Sequence, residues 1–126
     1  MIHGIGVDLV KVARIERVLE RYGDRFLTRV FTEREIAYCR GKSWGAAGYA
    51  MRFAAKEAFS KALGVGLRKG GIRWQEVEVI PNPLGKPEIF VSGRAAQLCE
   101  AAGIANMHLS LTDEDRRALA VVILER

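Results

Sequence analysis

The spacing of apolar residues changes several times along the chain, and each change marks a predicted element. Residues 2–9 alternate β-branched and small side chains, which predicts a strand. Gly4 and Gly6 within it indicate that another element packs close to the strand's backbone. From residue 10 to residue 22 apolar side chains recur every three or four positions, which predicts an amphipathic helix that ends at Gly23.

Two further helices are predicted before the middle of the chain. Thr32 and Glu35 have the spacing of a capping box, which predicts a short helix that runs to about Arg40. Residues 46–63 are rich in alanine and form the longest predicted helix, which Gly64 closes. A glycine-flanked loop that ends near residue 71 follows.

The second half of the chain is predominantly β. The predicted strands are residues 72–80, 87–91, 107–111 and 118–124, with turns at residues 81–85 and 112–115. Ser92 is the expected cap of a helix that runs through about residue 102, between the second and third of these strands. This order predicts an α+β fold in which one long and several short helices pack on a mainly antiparallel sheet.

Length and composition limit what this fold can be. The 126 residues fit one domain, and 49% hydrophobic with 28% charged residues is typical of a folded globular chain. The longest apolar run, residues 118–124, is too short to cross a bilayer, and the N-terminus lacks a signal-peptide pattern. Cys39 and Cys99 lack the spacing of a zinc site or a disulfide framework, so we expect reduced thiols in a cytoplasmic protein.

The net charge of +5 is unevenly distributed. Residues 1–73 carry 15 basic and 7 acidic side chains, whereas residues 74–126 carry 5 and 8. Fourteen of the 20 basic residues are arginine, which favours bidentate contact with carboxylate or phosphate. The N-terminal part should therefore face an anionic partner, either a nucleic acid or an acidic protein.

Four arginines follow one line along the first predicted helix and just beyond it. They are Arg14, Arg17, Arg21 and Arg25. This line is a solvated basic face, a nucleic-acid surface or a docking surface for an acidic helix. Aromatic side chains do not alternate with these arginines as a base-stacking surface requires, which favours a protein partner.

Candidate chemistry is concentrated at Asp8 and on the long helix. Helical spacing places Glu57 and Lys61 on one face of the long helix. The simplest interpretation of these two residues is a surface ion pair worth about 0.3–0.5 kcal/mol. Arg52 and Lys56 have the same spacing and would be a solvated flank unless an anion lies between them. Asp8, at the end of an apolar strand, either caps the next helix or contributes to a cation site. Asp8 and Glu57 together would suit Mg²⁺, although spacing alone does not bring them together.

Several motifs occur together in the chain. They are GIGVDLV and ARIE at residues 4–10 and 13–16, RFAAKEAFSKALG at residues 52–64, GKP at residues 85–87, and NMHLSLTDE with ALAVVILE at residues 106–114 and 118–125. In this order they resemble the holo-acyl-carrier-protein synthases, the short type of 4′-phosphopantetheinyl transferase, over the whole chain.

The resemblance implies a reaction and the residues for it. Coenzyme A would give 4′-phosphopantetheine to a serine hydroxyl of an apo acyl carrier protein and release adenosine 3′,5′-bisphosphate, in support of fatty acid biosynthesis. Mg²⁺ would lie at Asp8 and Glu57, with Lys61 beside a phosphate or the leaving oxygen, and these three are the expected catalytic residues. Such a cation between carboxylates and the pyrophosphate would offset charge on the phosphate oxygens.

The resemblance also implies how substrates and subunits meet. Arg14, and less directly Arg21 and Arg25, would dock the carrier protein. A single unit of this length, residues 1–126, implies a homotrimer with sites between subunits, and neither nucleic acid nor membrane is an implied partner. The expected coenzyme A contacts are Phe53, Lys56, Ser60, Gly64, Gly85, Lys86 and Pro87.

One position departs from the family. Many members have a histidine after the Ser-Leu-Thr strand, where this chain has Asp113. The base that takes the serine proton is therefore Glu57, Asp8 or a metal-bound water, and these alternatives stay open. The alternative to an enzyme is a small basic protein that binds RNA or an acidic protein, which would leave Asp8 and the face with Glu57 and Lys61 unexplained.

Overall fold

A computed structural model describes residues 1–67 and 71–126 of the chain. In this part of the chain five helices pack with a three-stranded and a two-stranded antiparallel sheet, which confirms the predicted α+β class. The helices are α1 (Val12–Tyr22), α2 (Asp24–Val30), α3 (Glu33–Arg40), α4 (Ala46–Leu63) and α5 (Gly93–Ala101). The strands are β1 (Ile2–Lys11), β2 (Val77–Pro81), β3 (Pro87–Val91), β4 (Asn106–Glu114) and β5 (Arg117–Glu125).

The long helix α4 lies at the centre of the core. It packs on the sheet of order β1-β5-β4. The side chains of the middle strand that face the core are fully buried, and they are Ala118, Ala120, Val122 and Leu124. Thirteen of the 18 residues of α4 are buried, so its alanine-rich sequence reflects burial on most sides rather than a single apolar stripe.

Two glycines of β1 set how closely α4 approaches the sheet. A Cβ atom on Gly4 would overlap the carbonyl oxygen of Ala62, and one on Gly6 would overlap that of Ala58. The expectation that another element packs against the backbone of this strand is therefore confirmed, and that element is α4.

The structure differs from the predicted elements in the connections. After Gly23 the chain forms α2, which the sequence analysis did not predict, and a 3₁₀ turn at Trp74–Glu76 delays β2 until Val77. Within the described residues the predicted sheet is two sheets, because β2 and β3 pair there only with each other. Residues 68–70 of the predicted glycine-flanked loop lie outside the described residues.

Two local predictions also need correction. The strands β4 and β5 extend further than expected, so that the turn between them is only Asp115 and Arg116, with φ of 50° and 61°. Ser92 does occupy the N-cap position of α5, but its side chain makes no capping hydrogen bond.

Cys39 and Cys99 are both buried free thiols, and burial raises the pKa of each. Across residues 1–67 and 71–126, no helix has the length and apolar character needed to cross a membrane.

Candidate active site

Asp8 and Glu57 come from different elements and carry charges that act on each other. Alternate residues of a strand share a face, so the two glycines that admit α4 also turn Asp8 of β1 toward that helix. Lys61, one turn beyond Glu57, donates to Asp8 Oδ1 at 3.1 Å and to the carbonyl oxygen of Val7 at 3.0 Å. The ion pair of Lys61 with Asp8 thereby joins β1 to α4 one helical turn from Glu57.

These contacts decide between the local interpretations of the sequence. The N-cap of α1 is Lys11, without a side-chain capping bond, so Asp8 is not a helix cap. Among the described residues the ion-pair partner of Lys61 is Asp8, so the interpretation of Glu57 and Lys61 as a surface pair is wrong.

The electrostatics of this cluster favour a cation. Burial raises the pKa of the Glu57 carboxyl, the negative charge of Asp8 raises it further, and Lys61 and Arg14 act in the opposite direction. No third histidine, cysteine or acidic residue completes a metal-binding group with them in the described part of the chain. Two carboxylates with room for water or phosphate oxygens are the donor set that Mg²⁺ prefers, so the residues fit this ion.

A cleft of about 670 Å³ opens beside Glu57. On one wall the rings of Phe53 and Trp74 stack with centroids 5.0 Å apart and an interplanar angle of 23°. The guanidinium of Arg14 lies over the Phe53 ring, 5.7 Å from its centre. A carboxylate, an aromatic wall and basic side chains thus converge on one cavity.

The line of arginines is divided by the unexpected helix. Arg14 on α1 and Arg25 on α2 both line the cleft, together with Arg29. Arg21 does not line it and instead places its guanidinium over the neighbouring ring of Tyr22. The basic surface therefore continues around the cleft rather than straight along α1.

The expected coenzyme A contacts fall into two groups. Phe53 and Ser60 line the cleft, and the Ser60 hydroxyl donates to the carbonyl oxygen of Glu57 at 2.8 Å. Gly64 ends α4 in the left-handed conformation, with φ of 87°, and is exposed. Gly85 and Lys86 lie in the turn between β2 and β3, Pro87 begins β3, and none of the three lines this cleft.

The expected ligand contact of Lys56 is wrong in this structure. Its side chain is fully buried, and its ammonium group donates to Glu35 Oε1 at 2.8 Å and to two backbone carbonyl oxygens. Burial lowers the pKa of the Lys56 amine, and Glu35 opposes that effect. Arg52 is also buried, so neither residue belongs to a solvated flank.

Trp74 and Arg29 are among the cleft residues that sequence reasoning missed. Trp74 follows the glycine-flanked loop, in a segment that was expected to be a regular strand. The available signal was a large aromatic side chain between the polar residues Arg73 and Gln75. Arg29 belongs to the basic half of the chain, but it was hidden by the failure to predict α2.

Carboxylates and basic side chains around one cleft suit chemistry on a phosphate group, and comparison with known proteins specifies the family. The sequence model of the 4′-phosphopantetheinyl transferase superfamily matches residues 4–122. A curated relative, the holo-[acyl-carrier-protein] synthase of Geotalea daltonii, is 47% identical over the full length of both chains. The chain belongs to the holo-[acyl-carrier-protein] synthase family of phosphopantetheinyl transferases, and the non-enzymatic alternative is therefore wrong.

Solved structures agree with this assignment. The crystal structure of the Neisseria meningitidis holo-[acyl-carrier-protein] synthase is 37% identical, covers 100% of each chain and has a TM-score of 0.92. The Helicobacter pylori synthase, solved in complex with coenzyme A, is 31% identical, covers 96% of this chain and 99% of its own, and has a TM-score of 0.85.

Proposed function

We propose that this chain transfers 4′-phosphopantetheine from coenzyme A to the serine hydroxyl of an apo acyl carrier protein in a Mg²⁺-dependent reaction, releasing adenosine 3′,5′-bisphosphate. The observation that carries the proposal is that Glu57 lines an aromatic cleft with basic walls and feels the charge of Asp8, which in turn pairs with Lys61. The coenzyme A bound to the Helicobacter pylori relative supports coenzyme A as the donor.

Each residue of the cluster has a role that follows from its place. Asp8 and Glu57 would hold Mg²⁺, which when bound offsets the negative charge that develops on the phosphate oxygens. Lys61 can exchange its contact with Asp8 for a phosphate oxygen or the leaving oxygen, since its side chain is 53% exposed. Phe53 and Ser60 would contact the coenzyme, and Gly64 at the end of α4 leaves its backbone open to a phosphate.

The direct test is incubation with coenzyme A, MgCl₂ and an apo acyl carrier protein, followed by mass spectrometry of the carrier. The carrier should gain one phosphopantetheine group, and chelation of the metal should stop the reaction. An unmodified carrier, or full transfer after thorough chelation, would contradict the proposal.

Arg14, Arg25 and Arg21 are proposed to dock the acidic carrier. Arg14→Glu should raise the KM for the carrier about tenfold or more, because like charges facing each other at an interface cost several kcal/mol. The effect should shrink as salt is added, since the Debye length is about 10 Å at 0.1 M. Steady-state kinetics with each substrate varied in turn measures this.

Arg17→Glu is the matched control for that variant, because Arg17 is exposed on the same helix and does not line the cleft. Its KM for the carrier should change much less. An equal rise of the KM for coenzyme A and for the carrier in Arg14→Glu would contradict a docking role.

We also propose a homotrimer with its sites between subunits, supported by an open apolar face of the main sheet. Ile5, Val7 and Leu9 of β1 are 60%, 51% and 59% exposed. On β5 they stand opposite Ile123, Val121 and Leu119, which extend the same face. An apolar surface of this kind is typical of an interface between subunits. Because Gly85, Lys86 and Pro87 do not line the cleft of their own chain, they would contact the coenzyme in the cleft of a neighbouring subunit.

Val7→Lys should break this assembly, because it places a charge in the middle of the open apolar face. Sedimentation of the unchanged protein should give about 42 kDa, three times the chain mass of 14.0 kDa, whereas the variant should sediment as a monomer with little activity. Gln97→Lys on exposed α5 is the control and should remain a trimer. A fully active monomer of the unchanged protein would contradict the interfacial site.

A role in fatty acid biosynthesis in the cytoplasm completes the proposal. It is supported by the carrier-protein specificity in the family name and by Cys39 and Cys99, which are buried thiols rather than a disulfide.

A further inference from the structure

The core contains an ion pair that the proposed reaction does not use. Lys56 Nζ of α4 lies 2.8 Å from Glu35 Oε1 of α3, and both side chains are 0% exposed. Removing two charges from water costs several kcal/mol for each ion, so a buried pair rarely stabilises a fold more than apolar side chains of similar volume would. The position of this pair therefore calls for another explanation.

The pair fastens three separate parts of the chain together. Besides Glu35, Lys56 Nζ binds the carbonyl oxygen of Trp74 at 3.1 Å and that of Val77 at 2.5 Å. Glu35 accepts from the backbone N–H of Thr32 at 2.9 Å and, through its other oxygen, from that of Val79 at 2.9 Å. Helices α3 and α4 are thus joined to the 3₁₀ turn and to β2 by hydrogen bonds that leave no donor of Lys56 free.

One end of this network is a wall of the cleft. The carbonyl oxygen that Lys56 holds belongs to Trp74, whose ring is only half-buried and stacks on Phe53. Glu57 is the next residue of α4 and lines the cleft. Lys56 therefore binds the backbone of the residue that forms the aromatic wall, and the next residue of α4, Glu57, supplies a carboxylate to the same cleft.

We propose that Lys56, paired with Glu35, is a positioning residue that holds Trp74 against Phe53, and that the Trp74 side of this wall orients the acyl carrier protein while Phe53 contacts the coenzyme. The carrier is the substrate concerned, because Arg14 lies over the same wall and Arg25 borders the same cavity. This inference rests on the proposed transfer reaction and on the docking role of those arginines.

The test uses the double variant Glu35→Gln/Lys56→Met, which removes both charges and nearly preserves side-chain volume. Lys56→Met alone should lower Tm clearly, because it leaves a buried carboxylate without its partner. The double variant should recover part of the Tm that Lys56→Met loses, because no unpaired charge stays buried, although the carbonyl oxygens of Trp74 and Val77 lose their donor. Its kcat/KM for the carrier should fall at least tenfold. In a Trp44→Phe background, the fluorescence of Trp74 should shift to longer wavelength as its ring loosens.

Trp74→Ala tests the wall without touching the pair, because Lys56 binds the backbone carbonyl of residue 74. It should lower kcat/KM for the carrier by a similar factor, with a loss of Tm that comes from the lost packing on Phe53 and leaves the protein folded. The inference is overturned if the double variant is stable with unchanged kinetics, if it fails to fold, since the pair would then serve stability, or if Trp74→Ala transfers normally. Failure of the unchanged protein to modify the carrier would instead reject the proposed function.

Discussion

Glu57→Gln and Asp8→Asn proteins should each transfer phosphopantetheine at least about a thousandfold more slowly than the unchanged protein while remaining folded. Each change keeps the size of the side chain and removes one of the two negative charges that would hold Mg²⁺. Asp8 has only one ion-pair partner among the described residues, Lys61, and Glu57 has none, so neither change removes a contact of the apolar core.

In the absence of metal, the Glu57→Gln variant should also have a higher Tm than the unchanged protein. The pKa of Glu57 is raised in the folded state, so folding favours its protonated form. The stability that this proton contributes is complete below the ordinary carboxyl pKa of 4.5 and is lost as pH rises through the raised value. Glutamine does not ionise, so the advantage of the variant in Tm should grow over the same pH range.

Three measurements test this pair of variants: carrier modification by mass spectrometry, Mg²⁺ binding by calorimetry and Tm between pH 4 and 8. Glu20→Gln on the exposed side of α1 is the matched control and should match the unchanged protein in all three. Turnover near the normal rate at limiting Mg²⁺ in either site variant would mean that the metal assignment is wrong.

Gly6→Ala should lower the free energy of unfolding by at least about 3 kcal/mol, at the upper end of what overpacking costs. At this chain length that is a fall in Tm of about 10 °C or more. The added methyl group would overlap the carbonyl oxygen of Ala58, a backbone atom in the middle of α4 that no side-chain rotation can move aside. Because Asp8 follows on the same strand, the shift that relieves the overlap should also lower activity.

Gly41→Ala is the control for that change, because Gly41 has a helical φ of −76° and its nearest neighbours would be 3.6 Å from the new methyl group. Its Tm should change by a few degrees at most. Thermal unfolding of both variants, followed by circular dichroism, makes the comparison. A Gly6→Ala protein as stable as Gly41→Ala would show that α4 can move away from β1 at little cost.

The features that were predictable from sequence are those that local chemistry determines. Thr32 and Glu35 form both hydrogen bonds of the predicted capping box, because the residues involved are three positions apart. Gly4 and Gly6 predicted a close neighbour, because a missing Cβ in a strand is otherwise unfavourable. The close charges of Asp8 and Glu57 could be expected only through the resemblance, since no spacing rule relates residues on different elements.

What was missed depends on contacts between distant parts of the chain. Lys56 was expected to be exposed because its partner Glu35 lies 21 residues away in the sequence. The residues of α4 alone do not show which of its charged side chains is buried. The 3₁₀ turn that carries Trp74 stands in a β-rich segment, and its place depends on Phe53 and the buried pair. Tertiary packing decided these positions against the local preference.

β1 performs two tasks on its two faces, since Gly4, Gly6 and Asp8 face α4 whereas Ile5, Val7 and Leu9 form the open side. Inserting or deleting one residue before Asp8 would exchange the faces, which would move the carboxylate to the open side and press branched side chains against the helix. Natural variation in the length of this strand should therefore be strongly disfavoured. Length changes at the exposed turn around Leu84 would leave both faces of β1 in register.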